Sequence, residues 1–303
     1  PLSGTRAPRM ALCTTSAVVC PFLHYRSLPF TLVRSSRGSA LTGTLDARVP
    51  RRGLLGSFVF HSFMLGSSSS VAARSKISEA EQILKNVDWS EQFPFKKEDF
   101  QRYDETPDTF FYSSPRFVTH IDDYAIQALT KYYASVFPPS NSPGVALLDM
   151  CSSWISHYPK GYKQERIAGL GLNEEELKKN PVLTEYAVQD LNQNITLPYE
   201  DNSFDVITNA VSVDYIAKPL EVFREMGRVL KPGGIAIMSF SNRCFWTKAI
   251  SIWTGTGDVD HVYIVGSYFH YAGGYEPPQA LDISPNPGRT DPMYVVFSRK
   301  LQA

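Results

Sequence analysis

The stretch from Leu197 to Phe240 constrains the fold more than any other part of the chain. It predicts a strand over 204–211, a helix that begins at Pro219, and a second strand over 235–240. The first strand is an apolar, β-branched run, which is typical of a strand buried on both faces of a parallel sheet. Apolar residues recur in the helix at spacings of three and four, so one helix face can pack on the sheet. The sequence KPGG at 231–234 predicts the helix end, because proline cannot extend a helix and glycine tolerates a left-handed turn.

The chain from about residue 142 onward continues this alternation of strands and helices. Further strands are predicted at 145–150, 166–172, 185–188, 281–284 and 293–300. Further helices are predicted after the N-cap residue Asn173, over 245–253, and over 258–272 with Asp258 as N-cap. This order indicates an α/β fold: a Rossmann-like, doubly wound, seven-stranded and mostly parallel sheet, with one of the last two strands antiparallel.

Residues 76–141 are predicted to form a helical lead-in to this domain, which spans 142–303. Ser78 opens a capping-box pattern in front of a short helix. Asp122 can cap a second helix, which should end before Pro138 because proline cannot continue it.

Residues 1–75 have the composition of a disordered organelle transit peptide. They are rich in Ser, Arg and small apolar residues, and up to Ser78 the chain has 10 Lys and Arg against the single Asp46. We therefore predict a plant or algal protein located in the chloroplast, with the mitochondrion as the alternative. The pair Arg51-Arg52 precedes a mildly apolar run and then small residues, which resembles a twin-arginine signal. The location within the plastid would be the stroma or the thylakoid lumen.

The rest of the chain is acidic, with 20 basic and 29 acidic residues after Ser78. This balance argues against a nucleic acid as the main partner, because binding a phosphate backbone needs a basic face. The apolar run over 53–65 is too short for stable insertion into a bilayer. Only Cys151 and Cys244 follow the predicted transit peptide, and no metal-ligand pattern accompanies them. The sequence does not indicate an oligomeric state.

The motifs in residues 197–240 resemble those of a known family. The phrase Leu-Pro-Tyr-x-x-x-Ser-Phe-Asp-Val, then a helix that ends in Arg-Val-Leu-Lys-Pro-Gly-Gly, then a strand, is similar to the fourth and fifth strands of class I S-adenosylmethionine-dependent methyltransferases, particularly the small-molecule branch called type 11. The resemblance covers roughly 145–300 and is weakest after the first strand. It implies S-adenosylmethionine as cofactor and a small molecule as methyl acceptor.

The resemblance also implies a set of cofactor-binding residues at the ends of the strands. Asp149 would balance the cofactor's ammonium group, and the loop after it would approach the methionine end. That loop is glycine-rich in the family but reads Asp-Met-Cys-Ser-Ser-Trp here, so Ser152 and Ser153 would offer hydroxyl groups instead of bare backbone. Further candidates are Cys151 in the same loop, Asn173 for the ribose, Asp190 and Leu191 for the adenine, and Asn209 beside the methionine.

Methyl transfer to a hydroxyl or an acidic carbon needs a general base in addition to the cofactor. The candidates are His120, Asp214 and Tyr215, and Tyr112 and Arg116 are candidates for holding the acceptor. Each of these residues also has a purely structural interpretation, as a cap, a strand end or a packed ring.

Two other functions compete with the methyltransferase hypothesis. The glycine-poor loop and Asn173 favour a noncatalytic protein of the same fold that serves as a binding or assembly factor. A nicotinamide-dependent oxidoreductase would share the sheet type, but no Gly-x-Gly-x-x-Gly follows the first strand.

Overall fold

The computed structural model describes residues 78–302, so the predicted transit peptide and its twin-arginine signal lie outside the described residues. The helices are α1 Glu79–Ile83, α2 Asp108–Phe111, α3 Asp123–Val136, α4 Glu174–Lys179, α5 Pro219–Val229, α6 Ser251–Thr254 and α7 Asp258–Ala272. The strands are β1 Ala146–Met150, β2 Arg166–Gly171, β3 Glu185–Val188, β4 Phe204–Ala210, β5 Leu230–Phe240, β6 Gln279–Asp282 and β7 Tyr294–Arg299.

The seven strands form a single sheet in the order β3-β2-β1-β4-β5-β7-β6. Strands β1 to β5 pair in parallel, whereas β7 runs antiparallel to both of its neighbours. The predicted doubly wound, mostly parallel sheet is therefore confirmed, including the single antiparallel strand near its end. Strand order reverses between β1 and β4, which is where ligands bind in open sheets of this kind.

Both faces of the sheet are covered, which explains why its central strands are apolar along their whole length. On one face, α5 and α7 pack on the sheet through buried residues such as Phe223, Met226 and Phe269. On the other face, α3 contributes Leu129 and Tyr133. The side chain of Asp122 accepts a hydrogen bond from the Ala125 amide and so caps α3 as predicted.

Several predicted boundaries were wrong. The strand predicted over 235–240 begins at Leu230, and residues 231–234 form an irregularity in its pairing with β4 rather than a separate turn. The helix predicted over 245–253 is reduced to α6. The N-cap of α7 is Gly257, whose amide donates to the Asp260 carboxylate, so Asp258 is the first helical residue and not the cap.

The connection between β1 and β2 contains no helix in the described structure. Residues 151–165 instead form an irregular segment, which we call the β1–β2 loop. Ser152 donates its backbone N–H to the carbonyl oxygen of Leu170 at 2.7 Å, so the start of this loop lies directly on β2. The loop then passes over the carboxyl ends of the strands.

Gly171 allows the close approach between β2 and the β1–β2 loop. A Cβ atom at this position would overlap the backbone oxygen of Ser152. We expect Gly171→Ala to lower the free energy of unfolding by about 1–3 kcal/mol, because the loop backbone must shift to admit the methyl group. Urea unfolding would measure the change. In the control Gly257→Ala, the added Cβ would lie 3.8 Å from the Asp260 carboxylate, which is an ordinary contact distance, so stability should change much less.

Candidate functional site

A cavity lies at the carboxyl ends of the parallel strands, where strand order reverses. Its walls come from the β1–β2 loop, the ends of β2, β3 and β4, the lead-in and the segment after β5. The residues that line it include Asp108, Phe111, Tyr112, His120, Asp149, Cys151, Ser152, Ser153, Ile155, His157, Gly171, Glu176, Asp190, Leu191, Asn192, Val211, Tyr215, Phe245 and Lys248.

The backbone around this cavity is strained. Of the six non-glycine residues with positive φ in the described chain, four line the cavity: His120 at 68°, Cys151 at 54°, His157 at 57° and Val211 at 44°. The other two are asparagines, which tolerate this conformation. A left-handed conformation is costly for the β-branched Val211 in particular. Strained backbone of this kind clusters at ligand-binding and active sites.

Asp149, the next-to-last residue of β1, has a buried carboxyl group that is surrounded by hydroxyl groups. Ser152 and Ser156 donate to one oxygen at 2.6 and 2.7 Å, and Thr208 donates to the other at 2.9 Å. Burial raises the pKa of Asp149 to about 6, although the three hydroxyl donors oppose this shift. The carboxyl group therefore joins the β1–β2 loop to β4, and its charge changes near neutral pH.

The hydroxyl groups of the β1–β2 loop are already used within the protein. Ser152 donates to Asp149, and Ser153 donates to Glu176 at 2.6 Å. In this arrangement neither hydroxyl proton is free, so Ser152 and Ser153 could donate to a cofactor carboxylate, as predicted, only by giving up these bonds. The thiol of Cys151 lies in the same loop, and burial raises its pKa to about 12, so it stays protonated.

Glu176 in α4 is a cavity residue that the sequence analysis did not identify. Its carboxylate is 2% exposed and accepts hydrogen bonds from the Ser153 hydroxyl and from the backbone N–H of Arg116, each at 2.6 Å. Glu176 therefore joins the lead-in to the β1–β2 loop. Glu176 stands among other acidic residues in the first turn of α4, and nothing in this local pattern indicates its burial.

Asn173, the ribose-binding candidate, acts as the N-cap of α4. Its side-chain oxygen accepts from the amides of Glu175 and Glu176, and its side-chain nitrogen donates to the carbonyl oxygen of Tyr112. Both the oxygen and the nitrogen of the Asn173 amide thus have partners in the protein, and Asn173 does not line the cavity. The predicted N-cap is therefore confirmed, and ribose binding by Asn173 stays a prediction.

Asp190 follows β3 and provides the cavity with a carboxylate oxygen that has no hydrogen-bond partner among the described residues. One carboxylate oxygen accepts from the Asn192 amide at 2.9 Å, whereas Oδ2 is buried and has no hydrogen-bond partner within residues 78–302. The adjacent Leu191 is buried and lines the same wall. This combination of a free carboxylate oxygen and an apolar surface can accept an amino group on a flat aromatic ring. Asn209, the other candidate here, is fully buried in β4 behind the lining residues.

Aromatic side chains from the lead-in and from the segment after β5 form the wall opposite the strands. Phe245 lies 5.0 Å from Phe111 and 5.6 Å from His120, measured between ring centroids. Tyr112 lines the cavity as well, and burial raises its pKa, so its hydroxyl remains protonated. Arg116 lies behind this wall, with its guanidinium 3.9 Å from the Phe111 ring centroid, and does not line the cavity.

The three candidate bases differ in position. His120 lines the cavity, and burial lowers its pKa, which favours the neutral imidazole. Tyr215 also lines it, but its hydroxyl oxygen accepts the Phe245 amide at 2.7 Å and burial raises its pKa well above the usual value. Asp214 is buried beside the cavity without lining it, and burial raises its pKa to about 8. The structure therefore brings His120 and Tyr215 to the cavity and places Asp214 outside it.

A buried ion cluster holds the lead-in over the cavity. Asp108 accepts from Arg102 at 2.7 Å and from the Asn192 side chain at 3.0 Å. Lys248 pairs with Asp104 at 3.1 Å and donates to the carbonyl oxygen of Thr106 at 2.7 Å. These contacts join the lead-in to the segments after β3 and β5. The sequence analysis missed this cluster, because its members lie up to about 140 residues apart in the chain.

The charged lining residues favour a cationic ligand. Asp149, Glu176 and Asp190 face the cavity, and the only lysine or arginine among its described lining residues, Lys248, is engaged with the lead-in. S-adenosylmethionine carries a positive sulfonium and an ammonium group. Asp149 suits the ammonium group, and the free Oδ2 of Asp190 suits the adenine amino group, so the residues present fit this cofactor at two of its ends.

The strand order, with a cavity at the point where it reverses, defines a Rossmann-like, doubly wound fold. Residues 154–238 match the family model described as a methyltransferase domain. The family comparison thus coincides with the part of the chain that runs from the β1–β2 loop to β5.

Curated relatives are similar over parts of the chain. A malonyl-[acyl-carrier protein] O-methyltransferase from Marinomonas is 30% identical over 67 residues, which is 22% of this chain and 25% of that protein. A demethylmenaquinone methyltransferase from Bacillus cereus is 33% identical over 104 residues, 31% of this chain and 44% of that protein. The chain thus spans less than half of the length of these relatives. A solved S-adenosylmethionine dependent methyltransferase from Mesorhizobium loti matches 57% of this chain and 98% of its own at 16% identity and a TM-score of 0.40.

Proposed function

We propose that this chain is an S-adenosylmethionine-dependent methyltransferase that acts on a small-molecule acceptor. The observation that carries the proposal is the group of four non-glycine residues with positive φ, the β-branched Val211 among them, that line one cavity at the carboxyl ends of the sheet. Strain of this kind persists only where the surrounding structure holds it, and it is typical of sites where a ligand is bound or transformed. The match of residues 154–238 to a methyltransferase domain supports the assignment of the chemistry.

In the proposed reaction the cofactor supplies an activated methyl group, and the protein supplies binding and alignment. Asp149 holds the ammonium end and Asp190 holds the adenine end. The aromatic wall formed by Phe111, Tyr112 and Phe245 holds the acceptor against the strand ends. The lead-in excludes water, because the ion cluster around Asp108 fixes it over the cavity.

Calorimetric titration of S-adenosylhomocysteine into the full chain tests the cofactor site. We expect Asp190→Asn to weaken binding by about tenfold to 100-fold, because the free acceptor becomes an amide while the bond to the Asn192 backbone can be kept. The matched control is Asp282→Asn, an acid in β6 whose carboxylate accepts the Ser284 amide. Unchanged affinity in Asp190→Asn would contradict the proposed adenine contact, and absence of binding in the folded wild type would contradict the proposed function.

A noncatalytic binding or assembly factor of the same fold is the second candidate. The observation that favours it is the engagement of both Ser152 and Ser153 hydroxyl groups with acidic side chains of the protein. Cofactor titration separates the two functions. A folded protein that binds neither S-adenosylmethionine nor S-adenosylhomocysteine would support the noncatalytic function and direct the search to partner proteins.

We also propose that the protein is located in a chloroplast, with the mitochondrion as the alternative. The support is compositional, since residues 1–75 are basic and almost free of acidic residues. Import of the full chain by isolated chloroplasts and mitochondria, followed by protease protection, would test the location. Within the part of the chain that the structure describes, no helix is long and apolar enough to cross a membrane.

A further inference from the structure

His157 lies in a wall that separates the cavity from a second depression on the protein surface. This second groove runs between α3, the β1–β2 loop and the segment after α4, and its lining includes the exposed residues Lys160 and Lys163. Only Ile155 and His157 line both the cavity and the groove. Among the residues that the structure describes, His157 is therefore the one titratable side chain that lines both the cavity and the groove.

Hydrogen bonds hold the backbone around His157, whereas Nδ1 of its ring has no hydrogen-bond partner among the described residues. Its carbonyl oxygen accepts from the Thr130 hydroxyl at 2.8 Å, and the next residue, Tyr158, is hydrogen-bonded to Thr208 of β4 at 2.7 Å. The side chain is 5% exposed, and its Nδ1 has no hydrogen-bond partner among residues 78–302. A buried imidazole nitrogen without a partner carries a desolvation cost that a bound ligand can relieve.

The imidazole of His157 is a hydrogen-bond acceptor at neutral pH. Burial lowers its pKa to about 4, and the nearby His120 adds to this shift. The ring is therefore neutral, and a neutral imidazole has one nitrogen that accepts a hydrogen bond.

The rest of the cavity indicates which class of methyl acceptor would contact this ring nitrogen. One wall is aromatic, with Phe111, Tyr112, Tyr215 and Phe245, and the charged groups that face the cavity are mainly carboxylates. A carboxylate or phosphate on the methyl acceptor would meet no free lysine or arginine among the described lining residues, because Lys248 is engaged with the lead-in. An uncharged aromatic ring with a hydroxyl group fits the wall and can donate to the imidazole.

We propose that His157 binds the hydroxyl group of an aromatic acceptor and takes its proton during methyl transfer. The proposal rests on the proposed methyltransferase function. The acceptor O–H bond breaks and its proton goes to a ring nitrogen of His157. The acceptor oxygen forms a bond to the methyl carbon, and the carbon–sulfur bond breaks with its electron pair going to sulfur, which yields an aryl methyl ether and S-adenosylhomocysteine. The proton then leaves to solvent through the second groove.

Phenol and benzene are suitable probes, because they differ only in the hydroxyl group. Their affinities for the full chain can be measured by NMR titration, with and without S-adenosylhomocysteine. We expect the ratio of phenol affinity to benzene affinity to fall about tenfold in His157→Phe, which keeps a ring and removes both nitrogens. The control His270→Phe changes an exposed histidine stacked on Trp89 and should leave the ratio unchanged.

A second measurement does not depend on the folding of the variant. In the wild type, the ring signals of His157 should shift with phenol and not with benzene. An unchanged ratio together with unshifted His157 signals would overturn the proposal, as would a ratio that falls in His120→Phe instead. Absence of phenol binding in the cavity would overturn the acceptor class. A ratio that falls in His157→Phe, together with no binding of S-adenosylhomocysteine, would have a different meaning. His157 would then bind the hydroxyl group, but the proposed methyltransferase function would be overturned.

Discussion

Replacement of Asp149 by asparagine is expected to weaken binding of S-adenosylhomocysteine by about 100-fold. The carboxylate has two tasks that the amide cannot perform together. It provides the negative charge for the ligand's ammonium group, and it accepts hydrogen bonds from Ser152, Ser156 and Thr208. An amide places an NH₂ group where a hydroxyl donor now points, so the β1–β2 loop would lose its anchor as well.

The same carboxyl group predicts the pH dependence of ligand binding. Burial raises the pKa of Asp149 to about 6, so the charged form is lost as the pH falls through this value. Wild-type affinity should therefore decrease on going from pH 8 to below about 6, whereas the affinity of Asp149→Asn should stay nearly constant over that range. A bound cation would move the wild-type midpoint to lower pH, because it stabilises the carboxylate.

Calorimetry at several pH values measures both effects. The matched control is Asp205→Asn, a β4 acid that pairs with Lys231 at 2.7 Å at the opposite end of the strands. Parallel losses of affinity in Asp149→Asn and Asp205→Asn would indicate general destabilisation instead of a lost ligand contact. An identical pH profile for wild type and Asp149→Asn would show that another group controls binding.

Asp214→Asn is expected to stabilise the protein at alkaline pH by a few kcal/mol, since each unit of pKa shift corresponds to about 1.4 kcal/mol. Asp214 is 2% exposed and its Oδ2 has no hydrogen-bond partner among the described residues. Burial raises its pKa from 3.8 to about 8. The folded state thus favours the neutral acid, which an asparagine resembles in shape and charge.

The sign of the pH effect follows from this shift. Between pH 4 and 8 the folded state binds the Asp214 proton and the unfolded state has released it, so the contribution of Asp214 to stability is complete at low pH and decreases as the pH rises. Above about pH 8 the folded protein must bury the charge. The stability difference between Asp214→Asn and wild type should therefore grow with pH and become constant above that value.

Urea unfolding at pH 5, 7 and 9 would test this expectation. Asp205→Asn again serves as control, because that carboxylate is partly exposed and paired with Lys231. A constant difference between Asp214→Asn and wild type at all three pH values would show that Asp214 titrates at an ordinary pKa in the folded state.

The succession of the main strands along the chain could be predicted from the sequence, because a strand that is buried on both faces is apolar along its whole length. The β-branched run of β4 and the apolar spacing of α5 specify which faces are covered, and both elements lie where the pattern places them. Boundaries were less predictable. The start of β5 at Leu230 depends on pairing with β4, and α6 is short because the segment after β5 is held by contacts to the lead-in. Such pairings are made by distant parts of the chain.

The candidate site shows the same division between local and distant causes. The sequence by itself determined the fold class and the acids at the ends of β1 and β3, because a residue that follows a parallel strand must reach the ligand edge of the sheet. Only the tertiary structure decided that Ser152 and Ser153 bond to acids, that Asn173 also bonds to Tyr112, and that Glu176 and His157 line the cavity. The physical reason is that a polar group's partner and burial depend on which remote segments fold beside it, and local spacing carries no information about those segments.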